Sequence, residues 1–235
     1  ASNVFNKNYW DNLYEHDYTT VDRKFDVQRN QMYNEELKWI KNFKNLTGNF
    51  LDVGCSYGTF LSFLPDVMNK VGIDVSSSVI NEAKTLYPNF EFQKTFIEEF
   101  KSEKKFNFIQ FRGVIQHSFD PVITLKSAIP YLEENGIIII TSLPDFSSFS
   151  SKIYKENFNF YLPKVSPHFF TQESFHYLLK SLNLKISKQQ SPYLKTPYSN
   201  FPKDLFTFLF NKLQNKRNPA FFGNVKNYII TKNPD

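Results

Sequence analysis

Phe50-Leu51-Asp52-Val53-Gly54-Cys55-Ser56-Tyr57-Gly58-Thr59-Phe60-Leu61 is the stretch whose reading decides the fold. A short apolar run meets two glycines and then continues into residues suited to a helix. Glycine lets the chain turn with φ > 0 and lets a ligand approach without a Cβ in the way. The first N–H groups of a helix have no partner inside it and point at whatever sits before them. The stretch therefore predicts a strand, a glycine turn and a helix that together hold a ligand.

The next strand narrows the ligand. Lys70-Val71-Gly72-Ile73-Asp74 ends in an acid about 20 positions after the first glycine, the spacing at which a carboxylate accepts hydrogen bonds from ribose hydroxyls. An adenosine-containing cofactor is expected. A dinucleotide loop needs glycine where this turn has Cys55 and Ser56, and a P-loop needs Gly-Lys-Ser/Thr, which is absent here. Asp52, just before the turn, would repel a pyrophosphate but suit an ammonium group. That combination favours S-adenosylmethionine.

On these residues the chain resembles the class I S-adenosylmethionine-dependent methyltransferases. Leu51 to Gly58 is similar to the family's first motif, and Val71-Gly72-Ile73-Asp74-Val75-Ser76 to its second. Ser56 is a departure, since many members carry glycine there. The resemblance implies an α/β fold with a doubly wound, Rossmann-like, seven-stranded sheet, mostly parallel with an antiparallel last strand. It implies that Asp52, Gly54, Cys55, Ser56, Gly58, Asp74 and Val75 bind the cofactor.

Arg112-Gly113-Val114-Ile115-Gln116-His117-Ser118-Phe119-Asp120-Pro121 resembles the family's fourth motif, with Gln116 in place of the usual Glu. Arg112, Gly113 and Gln116 join the expected cofactor set. The loop after the third strand, Lys94 to Glu99, offers Thr95 and Phe96 for the adenine, while Glu98 and Glu99 equally suit an ordinary helix start. Tyr9 and Trp10 are expected to fold over the cofactor, and Arg29 to reach its carboxylate. A plain amphipathic helix covering the sheet is the competing account of that segment.

Two histidines are candidate catalytic residues. His117 has an ordinary pKa near about 6.5, so it can take a proton at neutral pH. It equally suits a ring that packs beside the cofactor and orders its loop. His168, in Ser166-Pro167-His168-Phe169-Phe170-Thr171, resembles a segment that precedes a late helix in small-molecule and glycan methyltransferases. The likeness places it over the acceptor, against a loop-pinning hydrogen bond.

The chain has 235 residues, 41% hydrophobic, enough for a sizeable core. We read one domain, with a helical cap at 1–45, a cofactor-binding core at 46–143, and acceptor lids with closing strands at 144–235. Cys55 is the lone cysteine, which points to a reducing cytoplasm and, in a tight turn, to a small packing residue. No apolar run of membrane-spanning length and no hydrophobic leader core at the first residues is seen. The formal charge is +5 with lysines spread along the chain, the tightest cluster being Lys212, Lys216 and Arg217, so no nucleic-acid partner is expected. No metal-ligand spacing occurs.

Periodicity predicts helices at 3–14, 23–43, 59–68, 76–86, 121–132, 171–182 and 203–216. It predicts strands at 50–53, 70–74, 90–93, 106–111, 136–142, 184–190 and 225–231. The irregular regions 145–168 and 191–202 are where the family builds acceptor lids. The expected function is methyl transfer from S-adenosylmethionine to a hydroxyl or amine of a small molecule, such as a sugar or nucleotide-linked sugar of surface-glycan assembly. The alternatives are a lipid or quinone acceptor, with the helix at Leu205 to Leu213 touching a membrane surface peripherally, and a non-catalytic S-adenosylmethionine-binding protein.

Overall fold

Ile137 to Ile140 show why the sheet has two dry faces. Side chains alternate along a strand, so Ile137 and Ile139 enter one apolar cluster while Ile138 and Ile140 enter another. The computed structural model describes residues 26–196 and 199–233. The helix expected at 3–14, with Tyr9 and Trp10, lies outside them.

The described elements are α1 (Asp26–Lys41), β1 (Asn49–Val53), α2 (Thr59–Ser62), β2 (Asn69–Asp74), α3 (Ser77–Leu86), β3 (Glu91–Lys94) and β4 (Phe106–Arg112). They continue with α4 (Pro121–Ala128), β5 (Leu132–Pro144), α5 (Phe149–Tyr154), α6 (Gln172–Ser181), β6 (Leu184–Gln190), α7 (Phe201–Leu213) and β7 (Val225–Lys232). The seven strands lie in the order β3-β2-β1-β4-β5-β7-β6. β7 runs antiparallel to β5 and β6, and the remaining pairs are parallel. This is the doubly wound sheet that the resemblance implied. Strand order reverses between β1 and β4, which opens a crevice at their carboxyl ends.

One face of the sheet packs on α1, α2 and α3 through Leu37, Ile40, Phe60, Leu61, Ile80 and Ala83. The other packs on α4 and α6 through Leu125, Ala128, Phe175, Leu178 and Leu179. Beyond β5, Tyr154, Phe158 and Phe208 form a third cluster that joins α5 to α7. Local chemistry sets the ends of several helices. The Asp120 carboxylate accepts from the N–H of Val122 at 2.8 Å and of Ile123 at 3.1 Å, with Pro121 at the first turn. Thr171 and Ser174 exchange hydrogen bonds as a capping box on α6.

Four elements depart from the sequence reading, each for a local reason. α2 is one turn rather than a helix to Met68, because Pro65 disfavours helical backbone at Leu64. α4 stops at Ala128, where Pro130 turns the chain into a 3-10 turn, Ile129–Tyr131. β5 is longer than 136–142, and its pairing with β7 shifts register between Ile140 and Leu143, where Ser142 has φ +58°. α5 arises in a region expected to be irregular, capped by Ser148, whose hydroxyl accepts from the N–H of Ser151.

A deep, fully enclosed isoleucine in β5 should tolerate truncation poorly. Ile139→Ala is expected to lower unfolding free energy by about 2–5 kcal/mol in urea titration. Val67→Ala, at a position 76% exposed, should stay within about 0.5 kcal/mol.

Candidate functional site

The turn after β1 is built around backbone that a side chain would block. Gly54 has φ +75°, and a Cβ there would come within 2.4 Å of Val114 Cγ2; Gly58 has φ +73°, and a Cβ there would meet the Phe92 ring at 2.5 Å. The N–H groups of Gly54 and Cys55 both donate to the Ile73 carbonyl, at 2.8 and 3.0 Å, which clamps the turn to the end of β2. Ser56 adopts φ +50°, the left-handed conformation that glycine takes freely, at a strain of about 1 kcal/mol.

Asp74 is held by the same turn. One carboxylate oxygen accepts the N–H of Ser56 at 2.9 Å and the other accepts the N–H of Ser76 at 3.0 Å. Its backbone carbonyl accepts the N–H of Thr95 at 3.0 Å, which brings Thr95 and Phe96, both half-buried, to the same edge as Asp74 and Val75. The Cys55 side chain instead points beneath the turn, where it would lie 2.7 Å from a Cβ at Gly72. Burial raises its thiol well above the ordinary range, so it is a packing group whose backbone faces the loop.

Asp52 shares the α1 face of the sheet with Phe50, because its neighbours Leu51 and Val53 point the other way. It is buried, and its Oδ1 has no hydrogen-bond partner. Desolvation pushes its pKa up to about 8; Arg112 opposes that rise, while Asp74 and Glu36 add to it. The register places Gln110 beside Asp52 and Thr141 beside Arg112. Both amide atoms of Gln110, the Thr141 hydroxyl, Arg112 Nη2 and Gln116 Oε1 are likewise buried without partners. Such atoms cost about 1–3 kcal/mol each when nothing completes them. A polar ligand or water at this edge would complete them.

Arg112 is anchored from α1. Its Nε donates to Glu36 at 3.1 Å, and its guanidinium lies 4.6 Å from the centre of the Tyr33 ring. Desolvation raises the Glu36 carboxyl and Arg112 opposes that rise; burial lowers the Arg112 pKa, but Glu36, Tyr33 and Asp52 together carry it above its ordinary value. Arg29 stands one helical turn before Tyr33, half-buried, and acts on the Tyr33 hydroxyl electrostatically. Glu36, Tyr33, Gln110 and Thr141 were missed by the sequence reading. Glu36 did carry a signal: it lies in the helical stripe of Tyr33, Leu37 and Ile40, where a carboxylate needs a partner.

The two histidines lie on one seam. A 3-10 turn, Ile115–His117, follows Gly113, whose N–H donates to the Thr141 carbonyl at 2.9 Å. His117 Nδ1 donates to the Val165 carbonyl at 2.8 Å, with the Ser166 hydroxyl at 3.2 Å; its Nε2 lies 3.3 Å from the Gln116 amide nitrogen. A carbonyl only accepts, so Nδ1 carries the proton and Nε2 the lone pair. Burial lowers the His117 pKa, with the Val165 bond opposing. His168 Nε2 donates to the carbonyls of Ser118 at 2.9 Å and Phe119 at 3.3 Å. Both rings thus stitch the strand-four loop to the segment at 165–168. Among the described residues no group of three or more His, Cys, Asp or Glu could hold a metal ion.

Asp52 thus feels two other carboxyls, Asp74 and Glu36, against one guanidinium, Arg112. A cofactor that carries an ammonium and a sulfonium would suit this donor set, and the orphaned Asp52 oxygen could hold the ammonium.

A family model described as a methyltransferase domain matches residues 44–184. A search of curated proteins found no match. Among solved structures, the chain is similar to a possible histamine N-methyltransferase from Thermotoga maritima, at 21% identity and a TM-score of 0.65, covering 94% of this chain and 99% of that one. It is also similar to the plantazolicin methyltransferase BpumL in complex with S-adenosylhomocysteine, at 21% identity and 0.63, covering 91% and 87%. The magnesium protoporphyrin IX methyltransferase of Synechocystis PCC 6803 with bound S-adenosylmethionine follows, at 12% identity and 0.58, covering 96% and 90%. At these identities the likeness establishes the fold.

Two outcomes follow from the buried charges. Glu36→Ala leaves Arg112 buried without its partner and should destabilise the fold by about 3–5 kcal/mol in denaturant titration. Asp52 is protonated below pH 8 in the free protein, whereas a cationic ligand favours its ionised form, so binding releases a proton. Affinity for S-adenosylmethionine should climb between about pH 6 and 8, by at most about tenfold per unit, and level off above. Calorimetry in buffers of different ionisation enthalpy should show that proton in the native chain and lose it in Asp52→Asn.

Proposed function

The chain belongs to the methyltransferase-domain family, and we propose that it transfers the methyl group of S-adenosylmethionine to a hydroxyl or amine of a small molecule, a sugar-containing acceptor in particular. The observation that carries this reading is the buried, incompletely partnered Asp52 carboxyl, set beside the Gly54 turn and across from Asp74. In this reading Asp52 meets the ammonium, Asp74 the ribose, Thr95 and Phe96 the adenine, and Arg112 with Arg29 the carboxylate end. The chain acts as one domain, with its later segments over the acceptor.

When bound, the cofactor supplies a methyl group on positive sulfur, and displacement at that carbon forms the new O–C or N–C bond as the S–C bond breaks. The protein's part is to hold the acceptor in line and to take its proton. His117 suits the second task, because Val165 fixes its tautomer with Nε2 as the accepting nitrogen and burial keeps it neutral at pH 7. His168, with Nε2 committed to two loop carbonyls, holds that loop against the lid.

Support for a sugar comes from the lid. Tyr161 and Phe169 lie 5.1 Å apart, and Phe146 stands 4.7 Å from Phe169. Phe169 remains 36% exposed beside His168, so a flat apolar face is open next to the catalytic seam.

Release of S-adenosylhomocysteine from candidate free and nucleotide-linked sugars and amines tests the reading directly. Asp74→Ala should abolish cofactor binding, and an unchanged affinity would sink the assignment. His117→Gln should lower kcat by about 10²–10⁴ and remove the acid limb of the kcat profile, the loss of activity as pH drops through the lowered histidine range. Phe169→Ala should raise KM for a sugar acceptor while leaving cofactor affinity unchanged.

A further inference from the structure

α7 presents to solvent what a core helix hides. Its buried residues are Asp204 and Phe208. The Tyr193 hydroxyl donates to the Asp204 carboxylate at 2.6 Å, and the Asn200 N–H does so at 2.8 Å. Phe208 packs between Tyr154 and Phe221, and the Lys212 ammonium donates to the Ile153 carbonyl at 2.8 Å. The inner side is therefore fully engaged.

The outer side is apolar. Leu213 is 86% exposed, Phe206 69% and Leu209 60%, and Phe201, Leu205 and Phe210 are exposed with them. With 3.6 residues per turn, these six cover about half of the helix circumference, with Lys203 just beyond Phe210 on one flank and Lys212 between Phe201 and Leu205 near the other. The Phe206 and Phe210 rings stack at 5.9 Å in the open. A continuous exposed apolar arc of this kind marks a contact surface.

Charge identifies the contact. Residues 199–233 contain six basic side chains and one acidic one, the buried Asp204, while the rest of the chain holds 22 of each sign. The lysines are spread along the sequence, but the whole formal net charge of +5 sits on this stretch. Lys203, Lys216 and Arg217 are exposed around the arc. A second copy docked by the same face would set these cations against their own equivalents, because a two-fold interface meets itself.

We propose that α7 docks in the plane of an anionic phospholipid surface, with its apolar arc in the headgroup boundary and Lys203, Lys216 and Arg217 against lipid phosphates. No described helix is long and apolar enough to cross a membrane, in keeping with contact from one side. The docking stands independently of which acceptor is methylated.

Co-sedimentation of the full chain with vesicles tests it. Enrichment is expected on phosphatidylcholine mixed with phosphatidylglycerol, falling as salt is raised, and little on phosphatidylcholine alone. Lys203→Glu, Lys216→Glu and Arg217→Glu should each weaken partition by about fivefold. Phe206→Ser combined with Leu209→Ser should remove it, with melting temperature and S-adenosylmethionine affinity unchanged. Three results would overturn the proposal: no enrichment on either vesicle, undiminished binding by the Phe206/Leu209 variant, or a dimer in light scattering that the same variant dissolves.

Discussion

Arg112 is the charge around which the carboxyl edge of the sheet is arranged. It leaves the end of β4, donates to Glu36 on α1, and lies over the Tyr33 ring. One guanidinium therefore faces two buried acids, Glu36 and Asp52, and it touches the first. Desolvation raises both carboxyls, and the one without a direct contact keeps an open oxygen. Replacing these buried ionisable groups with a neutral, well-packed core would be less costly for folding. They lie instead at the switch point of a doubly wound sheet, where the crevice opens.

The backbone around that edge is as constrained as the charges. Gly54 and Gly58 leave no room for a Cβ, the turn is clamped to Ile73, and Asp74 accepts one N–H from that turn, Ser56, and one from its own loop, Ser76. Two carboxyls thus sit on neighbouring strands, Asp74 fixed by main-chain N–H groups and Asp52 buried with an oxygen unpartnered. Rigid placement of this sort lowers the entropy lost when a ligand is held. It also explains why Ser56 can stand where glycine is common, since the clamp rather than the residue type enforces the loop path.

Much of this was legible in the sequence, because glycine turns and strand periodicity are local. Asp52, Gly54, Gly58 and Asp74 announce themselves within one βαβ unit. Proline effects are local too, yet Pro65 and Pro130 cut two helices shorter than their apolar periods suggested. Glu36 was harder, because its partner is 76 residues away and the positions three and four residues to either side of it, Met32, Tyr33, Trp39 and Ile40, carry no base. α7 shows the opposite difficulty. Its run of Leu and Phe suits a core helix, and composition alone does not say which face the rest of the molecule covers; Tyr154 and Phe221 cover one edge only.

The exposed helix and the histidine seam belong to one connected body of contacts. The Tyr154 hydroxyl donates to the Phe208 carbonyl, so α5 is fastened to α7 through main chain. Phe158 packs edge-on against Phe146, Phe146 against Phe169, and the preceding residue, His168, is bonded to the Ser118 carbonyl on the strand-four loop. Every step is a packed ring or a hydrogen bond, with no long flexible connection between. The segment at 165–169 is therefore not a free flap: it is held at one end by the histidines and at the other, through Phe146 and Phe158, by the cluster that includes α7. Whatever surface α7 rests on, this segment and the strand-four loop keep a fixed orientation to it, because each link is made by packed rings or by main-chain carbonyls.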